Sequence, residues 1–599
     1  MPANSAPAGA GPRMAVMPRP RSVSRSGDAV ISNAELGRIF NEIGDMLEIL
    51  GEVVYKSVAY RRVADAVARY PDDVAALFAR GDPPKLPGAG AALTAKLAEL
   101  AQTGRLEYHE RLRAQVPQGV LDMLRVPGVG PRTVRLIHSE LGIDSLDALR
   151  AAAADGRLRQ VKGLSERTER NVLDAMERLD RVSTRMLIHD ADELLGGLMT
   201  RLAEVKGVRR IERAGSLRRR LPTIGDLDLL AAVDDPRAVI EALDAMPEVE
   251  VVLTAGADKS SIVLRDGPRV DLMVCSPASW GTYSVHFAGS RDHNIALRGM
   301  ALDHGWSLSE KGFKVIESGE LLLAAEEAEV YERLGMPWIP PEIREADGEI
   351  EAALADRLPV LITADDVRGD THVHSDWTDG VDSIEAMARA ARDVGHDYIV
   401  LTDHSPSLGI TRGLTPERVE AQRAEIARLN ADLAPFRILH GTELEIRADA
   451  TLDYPDEILE RFDVVIASIH TGRSQSPEQL TRRALAAIEH PHVDVLAHPS
   501  GRIVNRRDPL PLDWPVIFEA AARCGTALEI NGSPRLDLDD SLARAAGRAG
   551  ARLTVSSDAH RTEELGQQRY AVDLARRAWL TADQVLPTRS ADALLELIR

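Results

Sequence analysis

The chain has 599 residues, 44% hydrophobic, 28% charged and only 4% aromatic, with a formal net charge of −20. That length accommodates roughly three to five domains with cores filled by Leu, Val and Ala, and no run approaches the ~18 apolar residues of a membrane span. Two cysteines, Cys275 and Cys524, exclude a disulfide framework and thiolate-bound zinc and point to a reducing compartment. The acidic balance excludes indiscriminate nucleic-acid binding by the whole surface.

Residues 1–30, rich in Pro, Ala, Gly, Ser and Arg, read as a disordered tail lacking the apolar core of a secretory signal. From about 33 to 180, apolar residues recur at helical steps, as in Leu36, Ile39, Phe40, Ile43, Met46, Leu47 and Leu50, and the region reads as all-α. Three segments inside it resemble one another: Leu86-Pro87-Gly88-Ala89-Gly90, Val126-Pro127-Gly128-Val129-Gly130 and the degenerate Val161-Lys162-Gly163-Leu164-Ser165. Each precedes an amphipathic stretch of about three helical turns. Such a turn offers backbone N–H groups at a helix N-terminus to a DNA phosphate without reading sequence, which is the helix-hairpin-helix pattern. Gly88, Gly90, Gly128 and Gly130 are therefore candidate DNA contacts.

Residues Arg201 to Arg220 are locally basic and run into Gly215-Ser216-Leu217-Arg218-Arg219 and Gly225-Asp226-Leu227-Asp228, which points to a phosphate partner. Short β-type runs follow at 226–233, 249–253, 262–264 and 270–274, interspersed with helical stretches, a small α+β unit. Asp226 and Asp228, two apart on one strand, share a face, and Asp271 can join them from a neighbouring strand. This is the carboxylate set that holds two Mg²⁺ ions for in-line phosphoryl transfer. A Gly-Ser turn with arginine beside it suits triphosphate oxygens.

These motifs resemble the family X DNA polymerases, of which DNA polymerase beta is the familiar member, over about residues 33 to 340. Gly215-Ser216-x-Arg218-Arg219, Gly225-Asp226-x-Asp228, Arg269-Val270-Asp271 and Phe287-Ala288-Gly289-Ser290 with Asn294 and Arg298 follow in that family's order. The resemblance implies that Asp226 and Asp228 bridge two ions, Mg²⁺ or Mn²⁺, while Asp271 binds the one that activates the primer 3′-hydroxyl. It implies dNTP contacts from Gly215, Ser216, Arg219, Gly225, His286, Phe287, Gly289, Asn294 and Arg298. His286-Phe287 would pack the deoxyribose, and Asn294 with Arg298 would face the minor groove of the nascent pair. His286 replaces a Tyr of the eukaryotic pattern, Ala288 a Thr and Arg220 a Gly, which bears on sugar selectivity and fidelity. The helical part resembles the family's lyase domain, with Lys96 at the Schiff-base position and Ala92 where the family often has lysine. A lysine acts there only with its pKa lowered by apolar surroundings or cations.

A Pro- and acid-rich stretch reads as a linker at 341–365. Beyond it apolar strands at 398–401, 437–439, 464–467, 493–496, 527–530 and 552–555 alternate with helices, and several end in metal-ligand types. That is how a β/α barrel gathers a site at one mouth. Ten of the chain's 16 histidines lie between His372 and His560, and imidazoles with carboxylates suit Zn²⁺, Mn²⁺ or Fe²⁺. Asp370-Thr371-His372-Val373-His374-Ser375, Thr402-Asp403-His404-Ser405, Ser468-Ile469-His470, Ala497-His498-Pro499 and Ser557-Asp558-Ala559-His560 resemble the PHP (polymerase and histidinol phosphatase) family over about residues 366 to 599. That implies a distorted β/α barrel whose trinuclear centre is built by His372, His374, Asp379, His404, Glu443, His470, His498, Asp558 and His560, with Asp403 behind His404 to fix it. His396, His440, His490 and His492 fall outside the motifs.

The expected division is a tail (1–30), a lyase-like helical domain (31–108), a helix-hairpin-helix fingers-like domain (109–182), an α+β nucleotidyltransferase palm (183–275), a thumb (276–340), the linker (341–365) and the PHP domain (366–599). The order matches that of bacterial family X polymerases. The leading expectation is a monomeric, cytoplasmic, nucleoid-associated enzyme of base excision repair that fills gaps in gapped or nicked duplex DNA with dNTPs, alone or with other repair proteins. Its PHP domain would act as a Mn²⁺-dependent 3′-5′ exonuclease, with AP-endonuclease or 3′-phosphatase activity as further options. Alternatives are a small-molecule phosphoesterase with a DNA-holding polymerase-like half, and a non-catalytic DNA-end scaffold.

Overall fold

The computed structural model describes residues 33–598 save 69, 71–73, 81–82, 87, 127–128, 167–168, 171, 174–184 and 266. The chain divides into two compact units at Asp180/Arg181.

The described residues of the first unit contain helices and no strand, starting with Asn33–Ile49 and Val54–Ala68. Of the apolar steps read from the sequence, Leu36, Ile39, Phe40, Ile43, Met46 and Leu47 are buried and share one core with Val134, Ile137 and Leu149, whereas Leu50, just past the helix, is exposed. Glycines punctuate the helices. Gly104 and Gly142 end Ala91–Thr103 and Pro131–Leu141 with φ of 68° and 65°, a conformation in which a Cβ costs about 1–2 kcal/mol.

The second unit starts with a five-stranded mixed sheet in the order Val208–Arg213, Leu227–Val233, Arg269–Cys275, Lys259–Leu264, Val249–Ala255. Leu227–Val233 and Arg269–Cys275 run parallel at its centre, with Asp228 opposite Asp271. Both strands are covered on their two faces, so they read as nearly unbroken apolar runs interrupted by those carboxylates. Helices Ile188–Ala203 and Pro236–Asp244 pack on the sheet.

Helices Trp280–Ala288 and Arg291–Asp303 and a three-stranded antiparallel sheet follow. The stretch 341–365, expected as a linker, is folded: Ile343, Ile350, Ala353 and Leu361 belong to the same core as Leu297 and Phe313. Its Pro and acid content marks packed turns. Buried Arg344 makes a paired contact with Glu327 (3.0 and 2.8 Å), and Glu349 accepts from His293 Nδ1 at 2.6 Å.

The remainder is a seven-stranded all-parallel sheet in sequential order, Gly369–Val373, Tyr398–Leu401, Arg437–Glu445, Val464–Ser468, Val495–Leu496, Ala527–Asn531 and Leu553–Ser556. The last strand returns to the first: Asp558 N donates to His372 O at 3.0 Å, and Val373 bridges Ala559. The result is a nearly closed barrel whose strand carboxyl ends share one mouth. Helix Gln568–Arg577 joins this barrel to the mixed-sheet part. His189 Nε2 lies 2.8 Å from Gly532 O, its ring packs on Tyr570, and Arg577 donates to Arg219 O at 2.7 Å.

Candidate active sites

In the mixed sheet, Asp226 lies just before the central strand and is exposed, Asp228 is half-buried and Asp271 is buried. Burial, then the charges of Asp271 and Asp226, push the Asp228 carboxyl up to about 7. Three carboxylates crowded this way call for cations. Two are supplied by the protein: Lys259 Nζ sits 3.0 Å and Arg269 Nε 2.8 Å from Asp271, and the Ser261 hydroxyl with these two cations outweighs burial to hold Asp271 below its usual range. Sequence reasoning missed Lys259, which strand pairing brings opposite Met273, two positions from Asp271.

Gly215, at φ 57°, opens the helical turn Gly215–Arg218 over this face, and a Cβ there would overlap Asp228 Oδ2. Ser216 lies in the same turn. Arg219 donates to Glu345 at 3.1 Å and to Ala288 O, and Gly289, at φ 71°, leaves room for its guanidinium, 2.9 Å from where a Cβ would stand. Gly225 precedes Asp226. Asn294 Nδ2 donates to His286 O at 2.7 Å and Arg298 reaches His286 Nδ1 at 3.2 Å. Burial first, then Arg298, lower the His286 pKa. Phe287 packs edge-on to the His286 ring and against the Trp280 cluster. Of the resemblance-derived nucleotide residues, Gly215, Ser216 and Gly225 thus lie beside the carboxylates, whereas most of the basic stretch is paired with acids. Arg201, Arg209, Arg210, Arg213, Arg218, Arg219 and Arg220 each contact an Asp or Glu.

In the first unit, Gly88 has φ 85°, while Gly90 and Gly130 are N-caps of Ala91–Thr103 and Pro131–Leu141 without a side-chain cap bond. That leaves first-turn N–H groups without a side-chain acceptor at the N-cap. Gly128 lies outside the described residues. Lys96 Nζ sits 2.7 Å from Tyr60 Oη and 3.8 Å over the Tyr108 ring, and burial, then Arg111, lower its pKa.

At the barrel mouth the nine expected ligands converge. Ligand atoms come within 4.8 Å of one another in three groups: His374, Asp379, His404 and His560; His372, His374 and Glu443; Glu443, His470 and His498. Asp558 completes the set, 3.5 Å from His372 Nε2 and 3.4 Å from His374 Nε2. The parallel strands dictate this, because each delivers its last residues to the same rim. None of His396, His440, His490 and His492 belongs to these groups.

The chemistry of the donors fits divalent ions. The buried Glu529 carboxylate accepts from His372 Nδ1 at 2.7 Å, which keeps the proton on Nδ1 and turns the Nε2 lone pair toward the centre, yet His374 Nε2 is only 3.0 Å away. His374 Nδ1 is buried without a partner. Facing lone pairs and an orphaned nitrogen are reconciled by cations between them. Burial, with His560 and the other imidazoles, holds His374 down to about 3. At His470 burial is overcome by Glu443, which raises it to about 9.

Asp403 does not fix His404. Its carboxylate accepts from Ser375 N at 3.0 Å, from Gln422 Nε2 at 2.6 Å and from Thr378 Oγ1, bracing the turn after His374. His404 instead meets Glu443 at 3.1 Å and Asp379 at 3.4 Å. Sequence reasoning missed Glu529 and Glu445, whose carboxylates hold His372 and His470 at 2.7 and 3.0 Å. Their signal was present, since Glu443-x-Glu445 and Glu529-x-Asn531 place polar groups on alternate positions of a strand end.

A parallel barrel lined with metal-ligand side chains and joined to a carboxylate-bearing sheet and a thumb defines a two-site phosphoryl-transfer enzyme. Family models agree part by part: the helix-hairpin-helix domain matches residues 31–106, the SAM-like helix-hairpin-helix tandem 120–178, the DNA polymerase beta thumb 283–345 and the PHP domain 370–505. The DNA polymerase/3′-5′ exonuclease PolX of Bacillus subtilis strain 168 is 35% identical over 92% of this chain and 97% of its own length. A probable phosphatase of Thermoanaerobacter sp. strain X514 is 30% identical over 37% of this chain and 89% of its own. One of Syntrophotalea carbinolica is 27% identical over 38% and 95%. The chain belongs to the PolX family of bacterial family X DNA polymerases with a PHP domain.

Proposed function

We propose that this chain fills short gaps in DNA at the palm and trims 3′ ends at the barrel, a DNA polymerase and 3′-5′ exonuclease in one molecule. The observation that carries it is the coexistence of two intact sites: Asp228 and Asp271 opposite each other on paired strands with Asp226 just before the first, and nine ligand-type residues at one barrel mouth. In the palm, Asp226, Asp228 and Asp271 hold Mg²⁺, and Gly215, Ser216, Arg219 and Gly225 receive the triphosphate. His286 and Phe287 form a floor for the sugar, its position tied to Asn294 and Arg298 through the His286 carbonyl and ring. Divalent ions, Mn²⁺ with Zn²⁺ or Fe²⁺ as alternatives, supply an activated water and neutralise the phosphodiester at the barrel.

The glycine turns at Gly88–Gly90 and Gly128–Gly130 hold the duplex by its phosphates, and Lys96, with its lowered pKa, is the nucleophile of a lyase step on an abasic end. The domain bounds are those expected from the sequence, with 341–365 joined to the thumb. No described helix is long and apolar enough to cross a membrane, and a monomeric, nucleoid-associated cytoplasmic enzyme on gapped or nicked DNA completes this reading. The test is a gapped, primer-labelled duplex in Mn²⁺. Asp226→Ala/Asp228→Ala loses extension and keeps degradation, and His372→Ala/His374→Ala does the reverse. Loss of both activities in either variant refutes the division. The probable phosphatases similar to 37–38% of the chain support 3′-phosphate removal as a further activity of the barrel centre.

A further inference from the structure

Consecutive barrel strands Val464–Ser468, Val495–Leu496 and Ala527–Asn531 are each followed by a loop bearing an arginine at the metal-ligand rim: Arg473, Arg507 and Arg535. Arg535 Nε lies 3.3 Å from Asp558 Oδ2, which anchors the group to the ligand set. Arg507 Nε donates to Gly501 O at 2.9 Å, and Arg473 Nη2 to Asp508 O at 3.3 Å. Gly501, at φ 60°, has no Cβ to collide with the Arg473 guanidinium. These contacts leave donors unused: Arg473 Nη1 and Arg535 Nη1 are buried with no hydrogen-bond partner. Burial, then the neighbouring guanidiniums, lower the pKa of Arg473 and push Arg507 down to about 10, with Asp537 the one acid opposing. The nearby Arg502 is already satisfied by Asp539 and by the Arg535 and Leu536 carbonyls. Arg535 is balanced by Asp558, so the uncompensated charge lies on Arg473 and Arg507, and together with the free N–H groups of Arg473 and Arg535 it represents an unpaid electrostatic debt that an anion settles; guanidiniums suit phosphate oxygens best.

We propose that Arg473, Arg507 and Arg535 form a phosphate subsite for the DNA strand entering the barrel's metal centre. The subsite rests on the reading of that centre as a nuclease. It orients the 3′ end by its backbone and is indifferent to base identity.

The test uses the full chain and a labelled single-stranded oligonucleotide with Mn²⁺. Arg473→Ala/Arg507→Ala is expected to raise the exonuclease KM about tenfold with kcat nearly unchanged. The log–log salt dependence should flatten by roughly 0.7 for each phosphate that is no longer neutralised, and Arg473→Lys/Arg507→Lys should restore part of both. Arg535 is left intact because it touches Asp558. Gap filling, performed by the palm, reports that each variant is folded, and Arg507→Lys alone probes the subsite without opening a cavity. Thymidine 5′-(p-nitrophenyl phosphate), with a single phosphodiester, separates two sources of the phosphate. A raised KM assigns the subsite to the scissile group, an unchanged one to its neighbour. Unchanged oligonucleotide KM and salt slope in the double alanine variant overturn the proposal. If His372→Ala/His374→Ala retains exonuclease activity, the nuclease reading itself fails, whatever the arginine variants do.

Discussion

Glu529→Gln isolates how far the barrel depends on groups behind the ligands. Glu529 is 1% exposed and accepts from His372 Nδ1 at 2.7 Å, His498 N at 2.5 Å, Asn531 Nδ2 at 3.3 Å and Ser556 Oγ. Four donors converge on an acceptor-only group. His372 and His498 outweigh burial and hold the carboxyl ionised. Glutamine keeps the shape but presents N–H₂ to two of those donors and removes the charge that makes His372 Nε2 basic. Changing such a partner costs about 10–100-fold in metal affinity, or ~1.4–2.7 kcal/mol. The assay is exonuclease rate against free Mn²⁺. The half-saturating concentration should rise about 10–100-fold, with excess metal restoring much of the plateau and gap filling unaltered. Recovery by metal separates this effect from a damaged barrel. An unchanged half-saturation would refute the claim that Glu529 sets the basicity of His372.

Three further outcomes follow from particular contacts. Gly215→Ala forces a Cβ into φ 57° and into Asp228 Oδ2, and strain of about 1–2 kcal/mol borne by that carboxylate should cut gap-filling kcat roughly tenfold while exonuclease activity persists. Arg577→Gln removes the bond to Arg219 O and the 3.1 Å ion pair with Glu345. The dNTP KM should rise roughly fivefold, about 1 kcal/mol, and an unchanged KM would show that the barrel helix does not hold the nucleotide turn. Asp494, bonded to Val465 N at 2.8 Å, is pushed by burial up to about 7. Its folded pKa lies above the unfolded value, so its stabilising contribution is full below about 4 and is lost as pH rises through 7. Asp494→Asn should therefore raise Tm at pH 8 and flatten the fall in Tm between about pH 4 and 7, as thermal melts would record.

How much of this was legible in the chain depended on whether the signal was local. The Tyr398–Leu401 strand was read correctly because its apolar run ends where the strand ends. The reading of 437–439 stopped short of Glu445 because Gly441 and Thr442 interrupt that run. The strand continues through them since Gly441 is pressed between neighbours, a Cβ there lying 2.8 Å from Val400 Cγ1 and from Val464 O. A glycine required by close approach of strands looks, in one dimension, like a terminator. The same limit hid the partners of the basic stretch. Arg213 and Arg220 both meet Asp192, and Arg220 also reaches Asp573 in the barrel, 353 positions later in sequence.

Those distant pairings bear on why two chemistries share one chain. Arg219, which we propose receives a triphosphate, has its carbonyl held by Arg577, and Glu345 is shared between the two arginines at 3.1 Å each. Arg577 is itself fixed by Asp540 of the barrel. The barrel therefore forms part of the support of the nucleotide turn as well as carrying the second site. A turn held from behind at its backbone presents its side chains with less freedom to lose on binding. This predicts that removing the barrel weakens dNTP binding even on a substrate that needs no trimming, a result that independent domains tethered by a linker would not give.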